Sequence, residues 1–251
     1  MQLRLTRAAV LALVVSIIAA ASAVAAISTA ERTRLNDAAS VLTAFRSDTQ
    51  TGIPENLWNR AQCVIVIPGL KKAAFIFGGE FGRGVMSCRN GDAWSAPVFM
   101  QLAKGSWGFQ AGAEAIDLVL VVQNRQGAEK LLSNNVSLGV DASVAAGPVG
   151  RAGSASTDAA LTAEILTYSR AKGIFAGINL SGGALKPDKD ANADVYGTMN
   201  VNDVVFGGKA QAPAEASNFV RSLGTGPRAT SGTTAPAPAP ATGETNPTPK
   251  Y

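Results

Sequence analysis

The sequence predicts an α+β domain built on a strongly curved, mostly antiparallel sheet or partial barrel. Three observations lead there. Helical periodicity is confined to the start, the end and one short insert, and short apolar runs separated by Gly, Pro and Asn-Gly signals fill the rest. Regular β-α alternation, the mark of a parallel doubly wound sheet, is missing. Glycines also recur inside the apolar runs, most densely in GGEFGRGVMSCRNGDAWSAPVFMQLAKGSWGFQAGAE, residues 78–114, as expected of strands whose backbones approach closely.

The ends of the chain read differently from its middle. Residues 1–26 have the form of a secretory signal. Arg4 and Arg7 give the charged start, residues 8–20 the apolar stretch, and Ala23-Val24-Ala25 the small-x-small cleavage pattern. No cysteine follows that pattern. A soluble periplasmic or secreted protein is therefore expected, with a retained anchor helix as the alternative. From Gly224 to the end, proline alternates with alanine and large aliphatic side chains are missing. Residues 224–251 thus read as a disordered, extended tail. Residues 27–223 remain as one domain, long enough to bury a core.

The elements follow in order. Ser28 or Thr29 can cap a first helix running to about Thr49. Leu35, Ala38, Leu42 and Phe45 form its apolar stripe, and Arg32, Arg34, Asp37 and Arg46 its polar face. Core packing is one reading of this helix and contact with a lipid surface another. Gly52 ends it, and Pro54 opens a short second helix to Arg60. CVIVIPG is then a continuous apolar strand. AAFIFGG, GVMSCR, SAPVFMQL and GSWGFQAGAE follow as strands, with a turn at Asn90-Gly91. IDLVLVVQ is another buried strand, and Asn124 caps a helix through Leu132. NVSLGVDASVAAGPVG, ILTYSRAKGIFAGINLS and ALKPD complete the strands. PAEASNFVRSLG is a closing helix.

Composition excludes several chemistries. The chain has no histidine, which removes Ser–His, Cys–His and His–metal arrangements together. Glu80, Glu114 and Asp117 lie in strand sequence, where carboxylates more often cap strand ends or pair with an arginine than act as acid and base. Gly78, Gly79, Gly82 and Gly84 match no phosphate-loop spacing, and a strand rather than a helix follows them. Asp188, Asp190, Asn192 and Asp194 alternate as in a calcium loop, but Ala193 replaces the turn glycine and Met199 the closing glutamate. This segment reads as a solvated acidic loop. No cofactor and no enzymatic activity are expected. The net charge is +4, and Arg4 and Arg7 account for two of it. Such a small excess gives no support for nucleic acid binding. An oxidising compartment admits a disulfide between Cys63 and Cys88, the alternative being two buried thiols. There is no C-x-x-C redox pair.

The cations are more suggestive. Lys71 and Lys72 stand at or just after a Pro-Gly turn. Arg83, Arg89, Arg151, Arg170 and Lys172 fall at strand ends or in glycine-containing turns. Several could share one rim of the sheet and meet a phosphate headgroup.

These segments also carry a resemblance. KKAAFIFGGEFGRGVMSCRNGDAWSAP, GFQAGAEAIDLVLVV, LGVDASVAAGPVGR, YSRAKGIFAGINLSG and ANADVYG occur in the order found in the SYLF domain family and span roughly residues 35–208. The resemblance implies a lipid-binding module and not an enzyme. Eukaryotic members associate with phosphoinositides and, in fungi, with actin. With an export signal in place of an SH3 or FYVE domain, what carries over is binding to an anionic phospholipid or membrane surface. By motif match the binding positions are Lys71, Lys72, Arg89, Arg151, Arg170 and Lys172. Two other functions stay open: a structural protein of the cell envelope with a protein partner, and a carrier holding a small apolar ligand inside the curved sheet.

Overall fold

The computed structural model describes residues 27–48, 52–74, 77–107, 112–133, 135–149, 162–171, 174–176 and 180–224. The signal-like start and the Pro/Ala-rich end lie outside them. The chain forms α1 (Thr29–Ser47), α2 (Glu55–Arg60), β1 (Cys63–Ala74), β2 (Phe77–Asn90), β3 (Ala93–Trp94), β4 (Val98–Trp107), β5 (Gly112–Val122) and α3 (Arg125–Leu132). There follow β6 (Val136–Ser137), β7 (Val144–Ala146), β8 (Ile165–Ala171), β9 (Ile174–Ala176), β10 (Ala184–Pro187), α4 (Lys189–Tyr196) and α5 (Val201–Val205). A 3-10 turn (Ala214–Ala216) and α6 (Ser217–Leu223) close the domain.

The strands run β6-β10-β4-β2-β1-β5-β8-β7 in a strongly curled half-barrel, with β3 beside β2 and β9 beside β8. Apart from the parallel pair β7–β8, the ladder is antiparallel. The expected α+β class holds.

Both faces of the sheet are covered, which explains why its central strands read as unbroken apolar runs despite antiparallel pairing. Val64, Val66, Val85, Val119 and Val121 face the stripe Leu35, Ala38, Leu42 and Phe45 of α1, together with Phe219 and Leu223 of α6. Ile65, Ile67, Met86, Met100, Leu118 and Leu120 face Ala128 and Leu131 of α3 and Val204 and Val205 of α5. The helix starts follow the expected caps. Ser28 Oγ accepts from Glu31 N, and Asn124 Oδ1 accepts from Gly127 N at 2.7 Å. Pro54 precedes α2.

The motifs turn out to be joints of this scaffold. Cys63 and Cys88 are direct partners across β1 and β2 and form a disulfide. In WSAP, Ser95 Oγ accepts from Cys88 N at 3.1 Å, and the Pro97 carbonyl accepts from the Tyr196 hydroxyl of α4. Gly147 of the AAGPVG motif lies flat on the ring of Tyr168 in YSR, since a Cβ there would stand 2.2 Å from Tyr168 Cζ. Gly82 and Gly84 leave room for Ile67 and Leu70, whose side chains would meet any Cβ at 2.4–2.8 Å.

Several expectations need correction. In place of the one inserted helix expected, α3, α4 and α5 all precede the closing helix, and GSWGFQAGAE spans the end of β4 and the start of β5. AAFIFGG is not one strand; it holds the end of β1 and the start of β2, which are longer than the motifs suggest. Lys71 and Lys72 lie within β1, beyond a bulge, and not after a reversal of the chain. The acidic segment is not a solvated loop. Asp188 is the N-cap of α4, and Asp188 and Asn192 are buried. Asn192 Oδ1 accepts from Phe99 N at 2.8 Å and its amide donates to the Phe99 carbonyl at 2.8 Å, tying α4 to β4.

Candidate binding site

The site starts with an irregularity in β1. Pro68 has no N–H to give to the ladder, and Gly69 takes a left-handed conformation at φ 55°. Pairing skips from Val66 to Lys71 on the β2 side and from Ile67 to Leu70 on the β5 side. Asp117 of β5 fills the gap by accepting from Gly69 N at 3.1 Å through Oδ1. Its Oδ2 accepts from Arg170 of β8 at 3.2 Å (Nε) and 2.5 Å (Nη2).

Beyond the bulge Lys71 stands directly opposite Phe81, so the two share one face of the sheet. Arg83, two residues further along β2, projects from that face as well. Phe81 is 46% exposed, which is unusual for a phenyl ring on a covered sheet. The Arg83 guanidinium carbon lies 6.0 Å from its centroid. Ala30, Thr33, Arg34 and Asp37 of α1 form the opposite wall, and the cleft so enclosed measures about 310 Å³.

Arg34 forms part of the cleft lining. Expected on the polar face of α1, it is instead buried. It donates from Nη1 to Asp188 Oδ2 at 3.0 Å, approaches Glu31 Oε1 at 3.7 Å and stacks 5.2 Å from the Phe99 centroid. Arg83 Nε stands 3.9 Å from the same Asp188 oxygen, with its own side chain 54% exposed. Arg34 therefore answers most of the Asp188 charge and leaves Arg83 facing the cleft. Lys71 is exposed and makes no ion pair among the described residues.

Of the six expected positions, Lys71, Lys72, Arg89 and Arg170 are described, and these four are not all brought to one rim. Lys71 lines the cleft. Lys72 has its backbone between Glu80 and Glu114 in register. Arg170 is held by Asp117. Arg89 lies at the other end of β2, opposite Trp94, and donates from Nε to the Ala61 carbonyl at 2.8 Å and from Nη2 to the Trp58 carbonyl at 3.3 Å. Arg151 and Lys172 lie outside the described residues. Phe81 is the side chain that residue-type reasoning misses. Its signal is a single aromatic between glycines, two positions from an arginine, in GEFGRG.

With this geometry in place, the chain can be set beside known proteins. The family described as "Las17-binding protein actin regulator", Ysc84, matches residues 103–225. Protein YSC84 of Saccharomyces cerevisiae is 31% identical over 195 residues, covering 74% of this chain and 42% of the yeast protein. LAS seventeen-binding protein 3 of the same yeast is 33% identical over 196 residues, with the same coverage of 74% and 42%. SH3 domain-containing YSC84-like protein 1 of Mus musculus is 32% identical over 174 residues, 68% of this chain and 51% of the mouse protein. The chain thus spans about half or less of the length of these relatives.

Proposed function

The chain belongs to the Ysc84, or SYLF, family, and from that premise we propose an exported, non-enzymatic protein that docks on anionic phospholipid through the cleft between α1 and β2. The observation that carries this reading is the exposed ring of Phe81 between Lys71 and Arg83 on one sheet face. A lipid surface offers an anionic layer over an apolar one, so it is met best by cations flanking an apolar wedge. Headgroup phosphate suits the Arg83 fork and the Lys71 point charge together. Among the described residues no helix is long and apolar enough to cross a membrane, and the contact proposed is with the surface. Export rests on residues 1–26, and a periplasmic or secreted location follows from it.

The test is co-sedimentation of the protein with phosphatidylcholine vesicles and with vesicles containing an anionic lipid, phosphatidylinositol phosphates among them. Binding should favour the anionic vesicles and weaken as salt rises past the range where charges are screened. Failure to bind either vesicle at low salt overturns the proposal.

A second reading has the relatives' names behind it. The family is described as Las17-binding and one relative is named LAS seventeen-binding protein 3, so a protein partner is the alternative. A groove of about 650 Å³ between α1 and α6, lined by Asn36, Ser40, Thr43, Asn218 and Arg221, offers a second surface for it. Loss of vesicle binding by substitution in the cleft, with the groove intact, separates the two.

A further inference from the structure

At the end of the sheet away from the cleft, three buried donors have no acceptor: Trp58 Nε1, Trp94 Nε1 and Arg89 Nη1. Their side chains are in contact. The Arg89 guanidinium carbon lies 4.4 Å from the Trp94 centroid, and the Trp58 and Trp94 centroids are 6.1 Å apart at 44°. Trp58 is 3% exposed. Arg46 stacks on Trp58 at 4.9 Å, adding a second positive charge. Among the described residues no carboxylate pairs with Arg89.

Buried polar groups are nearly always hydrogen-bonded, so three orphans in one cluster call for an explanation. Indole and guanidinium nitrogens can only donate, and no rearrangement among them supplies an acceptor. A half-enclosed cation that lacks a counter-charge is also costly. We propose that the Trp58–Trp94–Arg89 cluster binds a small carboxylate. A carboxylate has two oxygens able to accept several N–H groups at once, and a single negative charge that answers Arg89. Burial, and then the nearby Arg46, hold the Arg89 guanidinium below its ordinary pKa, as expected where an opposite charge is missing. The site is independent of the cleft. Arg89 lies next to the Cys63–Cys88 pair, and Lys71 stands eight residues further along β1, about 26 Å by the rise of a strand.

The three tryptophans make the test direct. Their indole N–H resonances are followed in the full chain during titration with sodium acetate, against sodium chloride at equal ionic strength. Trp58 and Trp94 should shift and saturate in acetate. Trp107, whose backbone lies at the far end of β4, should stay still. The Trp94→Phe variant keeps an aromatic ring, though a smaller one, and removes one donor, so the Trp58 response should weaken about tenfold. Absence of any shift would mean that water satisfies these donors, and equal shifts in chloride would mean screening or halide binding. Either result, or an unchanged Trp58 response in Trp94→Phe, overturns the proposal.

Discussion

Arg34 Nη1 donates to Asp188 Oδ2 at 3.0 Å with both side chains buried, so α1 and α4 are joined by an ion pair 154 residues apart in sequence. Breaking one half of such a pair leaves an uncompensated buried charge, which costs about 3–5 kcal/mol. Arg34→Met should therefore lower the urea midpoint markedly. Asp188→Ala should cost more, since it also removes the cap of α4, worth about 1 kcal/mol. The double variant Arg34→Met/Asp188→Ala should cost less than the two single losses added together. A double variant no better than the sum of its parts would show that the pair is not coupled.

The cleft makes a separate prediction about vesicle binding. A cation near an anionic surface contributes about 1 kcal/mol, so Lys71→Gln/Arg83→Gln should weaken binding roughly thirtyfold and flatten its salt dependence. Phe81→Ser removes the apolar wedge, worth about 1.5–3 kcal/mol if fully buried in lipid. It should weaken binding while leaving the salt slope in place. Arg170→Gln is the comparison. Its guanidinium is engaged by Asp117, so its loss should lower stability more than affinity.

The contrast between Lys71 and Arg170 shows how far the sequence reaches. Both are cations in motif positions, and residue type cannot tell them apart. What separates them is the bulge at Pro68-Gly69, which calls on Asp117 from β5, and Asp117 then engages Arg170. Helix caps and the apolar stripe of α1 were legible because they depend on local spacing. The buried Arg34 was not, because its burial depends on Asp188 arriving from the other end of the domain. The acidic segment misled for the same reason. Alternating Asp and Asn suits a loop, whereas here Asp188 caps a helix and Asn192 docks it onto Phe99. Phe81 followed strand propensity, but its exposure depends on how far α1 extends over β2.

Alkaline pH should expose another property of the core. Burial raises the hydroxyl pKa of Tyr168 and of Tyr196 well above the ordinary tyrosine value. Both folded-state values lie above the unfolded one. The stability they contribute is therefore complete below about pH 10 and is lost as pH rises beyond it, by up to about 1.4 kcal/mol per unit for each. Phenolate absorbance followed from pH 9 to 13 should show these two ionising only together with the loss of near-UV dichroism. Ionisation of more than one of the three tyrosines near pH 10 in a chain that stays folded would contradict the burial.

The glycine at position 84 gives the sharpest test of what the Gly-rich run is for. A Cβ there would stand 2.1 Å from the Val66 carbonyl oxygen and 2.7 Å from Ile67 Cγ1. The first contact is backbone, so no rotamer change can relieve it, and β1 and β2 would have to separate where the ladder carries the disulfide and the bulge. Gly84→Ala should then cost more than the usual 1–3 kcal/mol of overpacking. Gly105 provides the control, since a Cβ there would meet nothing within 4 Å. Gly105→Ala should be nearly neutral in thermal unfolding. If both variants melt alike, the glycines of this run are there for chain flexibility and not for close packing of strands.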